Sequence, residues 1–207
     1  MTQKENKMTM NILIAGATGK TGLLLTQDLL DHGHTVTALV RESSDTSDLP
    51  ERTALRQGDL TYLQDGVCDG ADVVIFAAGS GGKTGPDMTD KVDRDGAKRL
   101  IDLAKQAGAS RFVMLSSVGA DQENPSGDLA HYLKAKHEAD EHLKASGLTF
   151  AIIRPVALTD DDPSGDVILG EKVDVSAKAA RADVAAVLAD AAMTGTFDGQ
   201  ALNMQSA

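Results

Sequence analysis

Tyr132 and Lys136 stand four residues apart in His131-Tyr132-Leu133-Lys134-Ala135-Lys136, downstream of the paired hydroxyls of Met114-Leu115-Ser116-Ser117-Val118-Gly119. At about 100° per residue, a four-residue step on a helix returns to the same face, which brings an ammonium near a phenol oxygen. A free phenol titrates near pH 10, and an adjacent positive charge favours its ionised form. Such a phenol can protonate a carbonyl oxygen as hydride arrives, while a serine hydroxyl holds the same oxygen. Ser117 is the expected hydroxyl and Ser116 the alternative. The competing reading of the pair is a half-buried tyrosine beside a solvated lysine.

Hydride chemistry needs a carrier, and the run Ile12-Leu13-Ile14-Ala15-Gly16-Ala17-Thr18-Gly19-Lys20-Thr21-Gly22 has the features of a dinucleotide grip. An apolar strand leads through glycines into a helix: Gly16 allows a tight turn, Gly19 a close approach to a pyrophosphate, and Gly22 close packing of helix on sheet. The expected cofactor-binding residues here are Gly16, Thr18, Gly19, Lys20, Thr21 and Gly22, with the helix N-terminus facing the phosphates. A nucleoside-triphosphate loop would need glycine where the chain has Ile14, and Gly82-Lys83-Thr84 fails the same test at Ala77.

The end of the second strand, Thr37-Ala38-Leu39-Val40-Arg41, places a guanidinium where a 2′-phosphate would sit, and Lys20 is a second candidate charge. NADP is the expected cofactor; NAD is favoured instead if the strand ends one residue later and Glu42 meets the ribose. Asp59 and Leu60 follow the third strand, where a short polar side chain can meet the adenine edge. Ala77, Ala78 and Gly79 close the fourth with small residues that fit under a ribose.

These residues require an alternating chain. Apolar runs at 11–15, 35–40, 53–57, 72–77, 111–115 and 149–154 read as strands, and 20–32, 91–107 and 128–146 read as helices. The order predicts an α/β fold with a doubly wound, mostly parallel sheet in one domain over 11–207, a small C-terminal elaboration, and a disordered tail at 1–10. Ligands should bind beyond the carboxyl ends of the strands, walled by loops 78–90, 116–127 and 155–170.

A length of 207 residues suits one domain that buries roughly 70% of its unfolded surface. A net charge of −11 argues against nucleic acid and anionic membranes as partners, leaving a small-molecule substrate, a cytoplasmic setting and a monomer or homodimer as expectations. Cys68 is the only cysteine and reads as packing. His137 and His142 are five apart, about 140° around a helix, and so are poorly placed to share a metal. Asp160-Asp161-Asp162 reads as an acidic turn, and Arg181-Ala182-Asp183-Val184 as the start of a bracing helix with Asp183 as cap or ion-pair partner.

Gly-Ala-Thr-Gly-Lys-Thr-Gly (16–22), Leu-Val-Arg (39–41), Gly-Asp-Leu (58–60), Val-Asp-Arg-Asp-Gly (92–96), Ser-Ser (116–117), Tyr-Leu-Lys-Ala-Lys (132–136) and Ile-Arg-Pro (153–155) together resemble the short-chain dehydrogenase/reductase superfamily, in its atypical, single-domain NAD(P)-binding form. The resemblance spans Asn11 to about Asn203. It implies catalytic roles for Ser117, Tyr132 and Lys136, a 2′-phosphate contact for Arg41, and a place beside the nicotinamide for Pro155. Val36 to Ser44 is also similar to the flavin reductase/biliverdin reductase B group, which implies small planar acceptors. Two departures stand out: Asp45 replaces a basic residue that would assist NADP, and the tyrosine that many atypical members lack is present. The expectation is an NADP-dependent oxidoreductase acting on a small carbonyl, quinone or flavin-like acceptor, with Tyr132 as acid, Lys136 as pKa tuner and ribose anchor, and Ser117 orienting the acceptor. The alternatives are a non-catalytic sensor of the cofactor ratio and a sugar-nucleotide epimerase or dehydratase, the latter short of protein to hold a nucleotide sugar.

Overall fold

The apolar run before the first glycines forms strand β1 (Asn11–Ala15), and the central strands at 73–76, 111–115 and 150–155 repeat its logic of side chains buried on both faces. The computed structural model describes residues 9–81 and 84–207. After β1 come α1 (Lys20–Asp31), β2 (Thr35–Val40), β3 (Ala54–Gln57), β4 (Val73–Phe76), α2 (Pro86–Thr89), a π-helical segment (Asp90–Gly96), α3 (Ala97–Gln106), β5 (Arg111–Leu115), α4 (Ala130–Ala145) and β6 (Phe150–Pro155). The remainder holds β7 (Ala157–Thr159), β8 (Val167–Leu169), β9 (Lys178–Ala180), α5 (Arg181–Thr194) and β10 (Gln200–Ser206).

The main sheet runs β3-β2-β1-β4-β5-β6-β10-β8, all parallel except β8, which pairs antiparallel with β10. Alternation along each strand sends Ile12, Ile14, Ile75, Val113 and Ile153 to one face, beneath α1 and α5. Leu13, Val74, Phe76, Phe112 and Ile152 go to the other, beneath α3 and α4. β2 and β4 flank β1 on opposite sides, so the strand order reverses there and the crevice expected of this topology opens at the carboxyl ends of β1 and β4.

The six expected strands and three expected helices are all present, the second helix being divided into π and α stretches. The C-terminal part does more than elaborate one side: β10 and β8 extend the sheet beyond β6, and only β7 and β9 form a separate two-stranded parallel ribbon. Residues 1–8 lie outside the described residues, as do Gly82 and Lys83 of the loop expected to form a wall. Met10, placed with the tail by the sequence, belongs to the fold, since its carbonyl accepts the Thr35 N–H and its amide donates to His34 Nδ1. Among the described residues Asp183 makes neither a cap nor an ion pair: its carboxylate accepts from Ser164 N and Oγ, Gly165 N and Ser206 Oγ, tying that loop and β10 to α5. Cys68 is fully buried, and burial pushes its thiol up to about 12, as packing requires. Among the described residues no helix is long and apolar enough to cross a membrane.

Candidate active site

A cleft of about 700 Å³ opens at the switch point, and Gly16, Thr18, Gly19, Arg41, Asp59, Leu60, Ala77, Ala78 and Gly79 all line it. Its glycines are dictated by backbone proximity. A Cβ on Gly16, whose φ is +92°, would come within 2.6 Å of Ala77 C and Ala78 N; one on Gly22 would lie 2.0 Å from the Gly16 carbonyl oxygen. Hence α1 starts pressed against the first turn. Gly19 is its N-cap and no side chain caps it, so the first-turn amides are available to a phosphate. A dinucleotide diphosphate fits these residues: the turn is narrow, uncapped and open to the cleft. Thr21 and Gly22 are buried beneath this turn and do not line it. Lys20, expected as a second charge near Arg41, instead pairs with Asp160, which also pairs with Arg181.

β2 ends at Val40, so Arg41 is the first residue beyond the strand. It lines the cleft with Ser44 and Asp59, while Glu42 lines an adjoining depression that Arg41 and Asp59 also border. Asp59 accepts from Thr61 N and Oγ1; these bonds, assisted by the Arg41 charge, outweigh partial desolvation and hold its carboxyl below the usual carboxylate range. Asp45 turns into its own loop, accepting from Ser47 N and Oγ.

Ser117, Tyr132, Lys136 and Pro155 lie outside the cleft lining proper, and Lys136 is joined to it through an aspartate. Ser80, on the cleft wall, donates its backbone N–H to Asp93 Oδ2 at 2.9 Å. Asp93 Oδ1 lies 3.1 Å from Lys136 Nζ, and both side chains are buried. Lys136 is therefore not the solvated lysine of the competing reading. Its ammonium sits 5.7 Å from the centroid of the Tyr132 ring and 5.4 Å from that of Phe76, with the Leu115 carbonyl at 3.4 Å. Burial alone would lower its pKa, but Tyr132, Asp93 and Asp140 outweigh that and the net shift is upward. Ser116 is buried and donates to Asp140 Oδ2 at 2.9 Å, the oxygen that also accepts from Arg154 Nε at 2.9 Å. Ser117, partly exposed, makes among the described residues only a 3.3 Å hydroxyl contact to the Val118 carbonyl and is the freer hydroxyl.

Two cations and two carboxylates thus form a buried cluster of zero formal charge: Lys136 and Arg154 against Asp93 and Asp140. Desolvation raises the Asp140 pKa despite Arg154, Ser116 and Lys136, which act the other way. Sequence reasoning assigned no role to either aspartate. A signal existed for Asp140, because Tyr132, Lys136 and Asp140 continue one four-residue stride down α4. Asp93 carried no comparable signal, since its place depends on the π-helical segment, whose wide turn directs it inward. His137 and His142 face the Ala120 carbonyl and Asp102 respectively, not each other.

The family model described as NAD(P)H-binding matches residues 16–194. The protein belongs to the NAD(P)H-binding family. Among curated relatives, the "Uncharacterized sugar epimerase YhfK" of Bacillus subtilis is 39% identical over 166 residues, covering 76% of this chain and 77% of that protein. Among solved structures, a Bacillus halodurans protein provisionally named an NAD-dependent epimerase/dehydratase has TM-score 0.89 and 33% identity, covering 96% and 94% of the two chains. The Lactococcus lactis oxidoreductase ylbE has TM-score 0.83 and 28% identity, covering 96% and 91%. The family is an NAD(P)-binding, oxidoreductase-like one with a Rossmann fold.

Proposed function

We propose that the protein is an NADP-dependent oxidoreductase that delivers hydride to a small carbonyl, quinone or flavin-like acceptor. The observation that carries this reading is the buried, charged Lys136 beneath the Tyr132 ring, connected through Asp93 to the wall of the dinucleotide cleft. Bound NADPH supplies the hydride. Tyr132 gives the acceptor oxygen its proton, and the Lys136 charge steadies the phenolate left behind. Because the Lys136 side chain is 3% exposed and directed at Asp93, tuning suits it better than gripping a ribose. Ser117, whose hydroxyl is not committed elsewhere, orients the acceptor; Ser116 is occupied by Asp140. Arg41 recognises the 2′-phosphate through its fork of donors.

The test is NADPH and NADH consumption against ketones, quinones, flavins and biliverdin, in the wild type and Tyr132→Phe. Loss of the phenol should lower turnover of a carbonyl acceptor about 10²- to 10⁴-fold with cofactor affinity nearly intact. Tight cofactor binding without oxidation of NADPH across the panel would defeat the reductase reading in favour of a sensor. The epimerase names of two relatives support a second reading, in which the same Tyr-Lys pair serves a sugar nucleotide. That reading predicts NAD retained, without exchange, in the purified protein.

A further inference from the structure

We propose that Asp93 is a positioning residue for Lys136: its carboxylate holds the ammonium beneath the Tyr132 ring and fastens that seat to the cleft wall through the Ser80 amide. The proposal rests on the reductase reading for its catalytic consequence, but the geometry it describes is independent of the acceptor. Asp93 is fully buried and faces two ways, one oxygen 3.1 Å from Lys136 Nζ and the other 2.9 Å from Ser80 N. Ser80 is held a second time, by a 3.2 Å contact between its hydroxyl and that of Thr89. Gly79 keeps the approach open, since a Cβ there would stand 3.3 Å from Asp93 Oδ1. On the other flank of the π-helical segment, a Cβ on Gly96 would strike the Leu60 carbonyl at 2.6 Å. The segment therefore packs tightly between the loop that lines the cleft and the helix that carries Tyr132. An interior widening of this kind is costly within a helix and recurs at functional sites.

The groups facing Lys136 account for its charge. Asp93 approaches from the π-helical segment and Asp140 from the next turn of α4, with Tyr132 one turn back. Phe76 from β4 contributes the quadrupole of its ring and the Leu115 carbonyl from β5 a dipole, neither a formal charge. Arg154 on β6 is already paired with Asp140, which is shared with Ser116. Among the described residues, Asp93 is thus the counter-ion that pairs with Lys136 alone. Without it, two cations would face one carboxylate in a dry setting, and the easiest relief is loss of a proton from Lys136, because a guanidinium does not give one up.

The experiment compares wild type, Asp93→Asn and the control Asp95→Asn, whose side chain pairs with Arg94 instead. The Lys136 side chain is followed by NMR across pH, assigned with Lys136→Met, and the alkaline limb of NADPH oxidation is measured in parallel. The amide introduced by Asp93→Asn keeps an acceptor for the Ser80 N–H but not the charge, so the Lys136 titration should move down by about 1–3 pH units and the alkaline limb with it. Asp95→Asn should move neither. An unmoved Lys136 titration in Asp93→Asn overturns the proposal. A shifted titration in a protein that leaves NADPH unoxidised with every acceptor of the panel upholds the Asp93–Lys136 link and refutes the reductase reading instead. If Asp93→Asn does not fold, Asp93→Asn/Lys136→Met should restore folding by removing both members of the pair. A double variant no better than the single one would refute the pairing.

Discussion

Replacing Gly22 by Ala tests whether the cleft depends on α1 being pressed against the first turn. The added Cβ would lie 2.0 Å from the Gly16 oxygen and under 3 Å from Ala17 Cα and C, so three backbone atoms oppose it and no side chain can yield. The helix must retreat by about 1 Å to restore ordinary contact. Overpacking of this kind costs about 1–3 kcal/mol, and a rigid backbone obstacle puts Gly22→Ala near the upper figure. For a chain of this length, about 3 kcal/mol lowers Tm by roughly 6–12 °C. The retreat also withdraws the first-turn amides from a bound diphosphate. Losing one charge-assisted bond weakens nucleotide binding by about 10- to 150-fold. Gly19→Ala separates the two effects, because its Cβ meets only the Gly16 oxygen, at 3.3 Å. That variant should melt within a few degrees of wild type yet bind nucleotide poorly, since its methyl enters the space of the phosphates. Thermal unfolding and fluorescence titration with NADPH measure both quantities. A Gly22→Ala protein with wild-type Tm and affinity would refute the account of how this turn is built.

Arg41→Ala should weaken NADPH binding by about tenfold or more and leave NADH binding unchanged, the low end of the range reflecting the exposure of Arg41. Equal losses for both nucleotides would show that Arg41 does not read the 2′-phosphate. Arg154→Met leaves Asp140 buried without its cation and should cost about 3–5 kcal/mol in urea unfolding. Arg154→Met/Asp140→Leu should recover part of that loss, and strictly additive losses would contradict the coupling. Asp183 has its carboxyl held below the usual range: desolvation would raise it, but donors from Ser206, Ser164 and Gly165 prevail. Its folded-state pKa lies below the unfolded value, so its contribution is complete above about pH 4 and disappears as pH falls. Stability of Asp183→Asn should therefore decline less steeply than wild type below pH 4, a comparison that denaturant titrations at successive pH values make directly.

Most of the six expected strands were legible because they are apolar runs bounded by polar or glycine-rich segments, a pattern that a parallel sheet covered on both faces imposes, whereas the edge strand β3 (Ala-Leu-Arg-Gln) is largely exposed. β7, β8 and β9 are three residues each, too short to show any period, and β10 carries Gln200, Asn203, Gln205 and Ser206 among few apolar residues. The glycine turn and the boundary at Arg41 were equally readable, since local backbone constraints produce them. The charge cluster was not. Asp93, Asp140 and Arg154 come from three elements, and their proximity to Lys136 follows from how α4, the π-helical segment and β6 meet. Spacing reveals partners on one helix; it carries no information about partners delivered by another. Lys20 shows the converse, being close to Arg41 in purpose on paper but tied to Asp160, 140 residues away.

β10 lies inside the sheet, parallel to β6 on one side and antiparallel to β8 on the other, with Met204 fully buried. It nevertheless follows every other strand of this sheet in the chain. Throughout translation of α5 and the loops before it, β6 presents bare amides and carbonyls along a flank that the finished molecule covers, a standing invitation to pair with the wrong partner. That flank has to stay open until β10 arrives, so a chain lacking β10 would carry an unfinished, adhesive sheet.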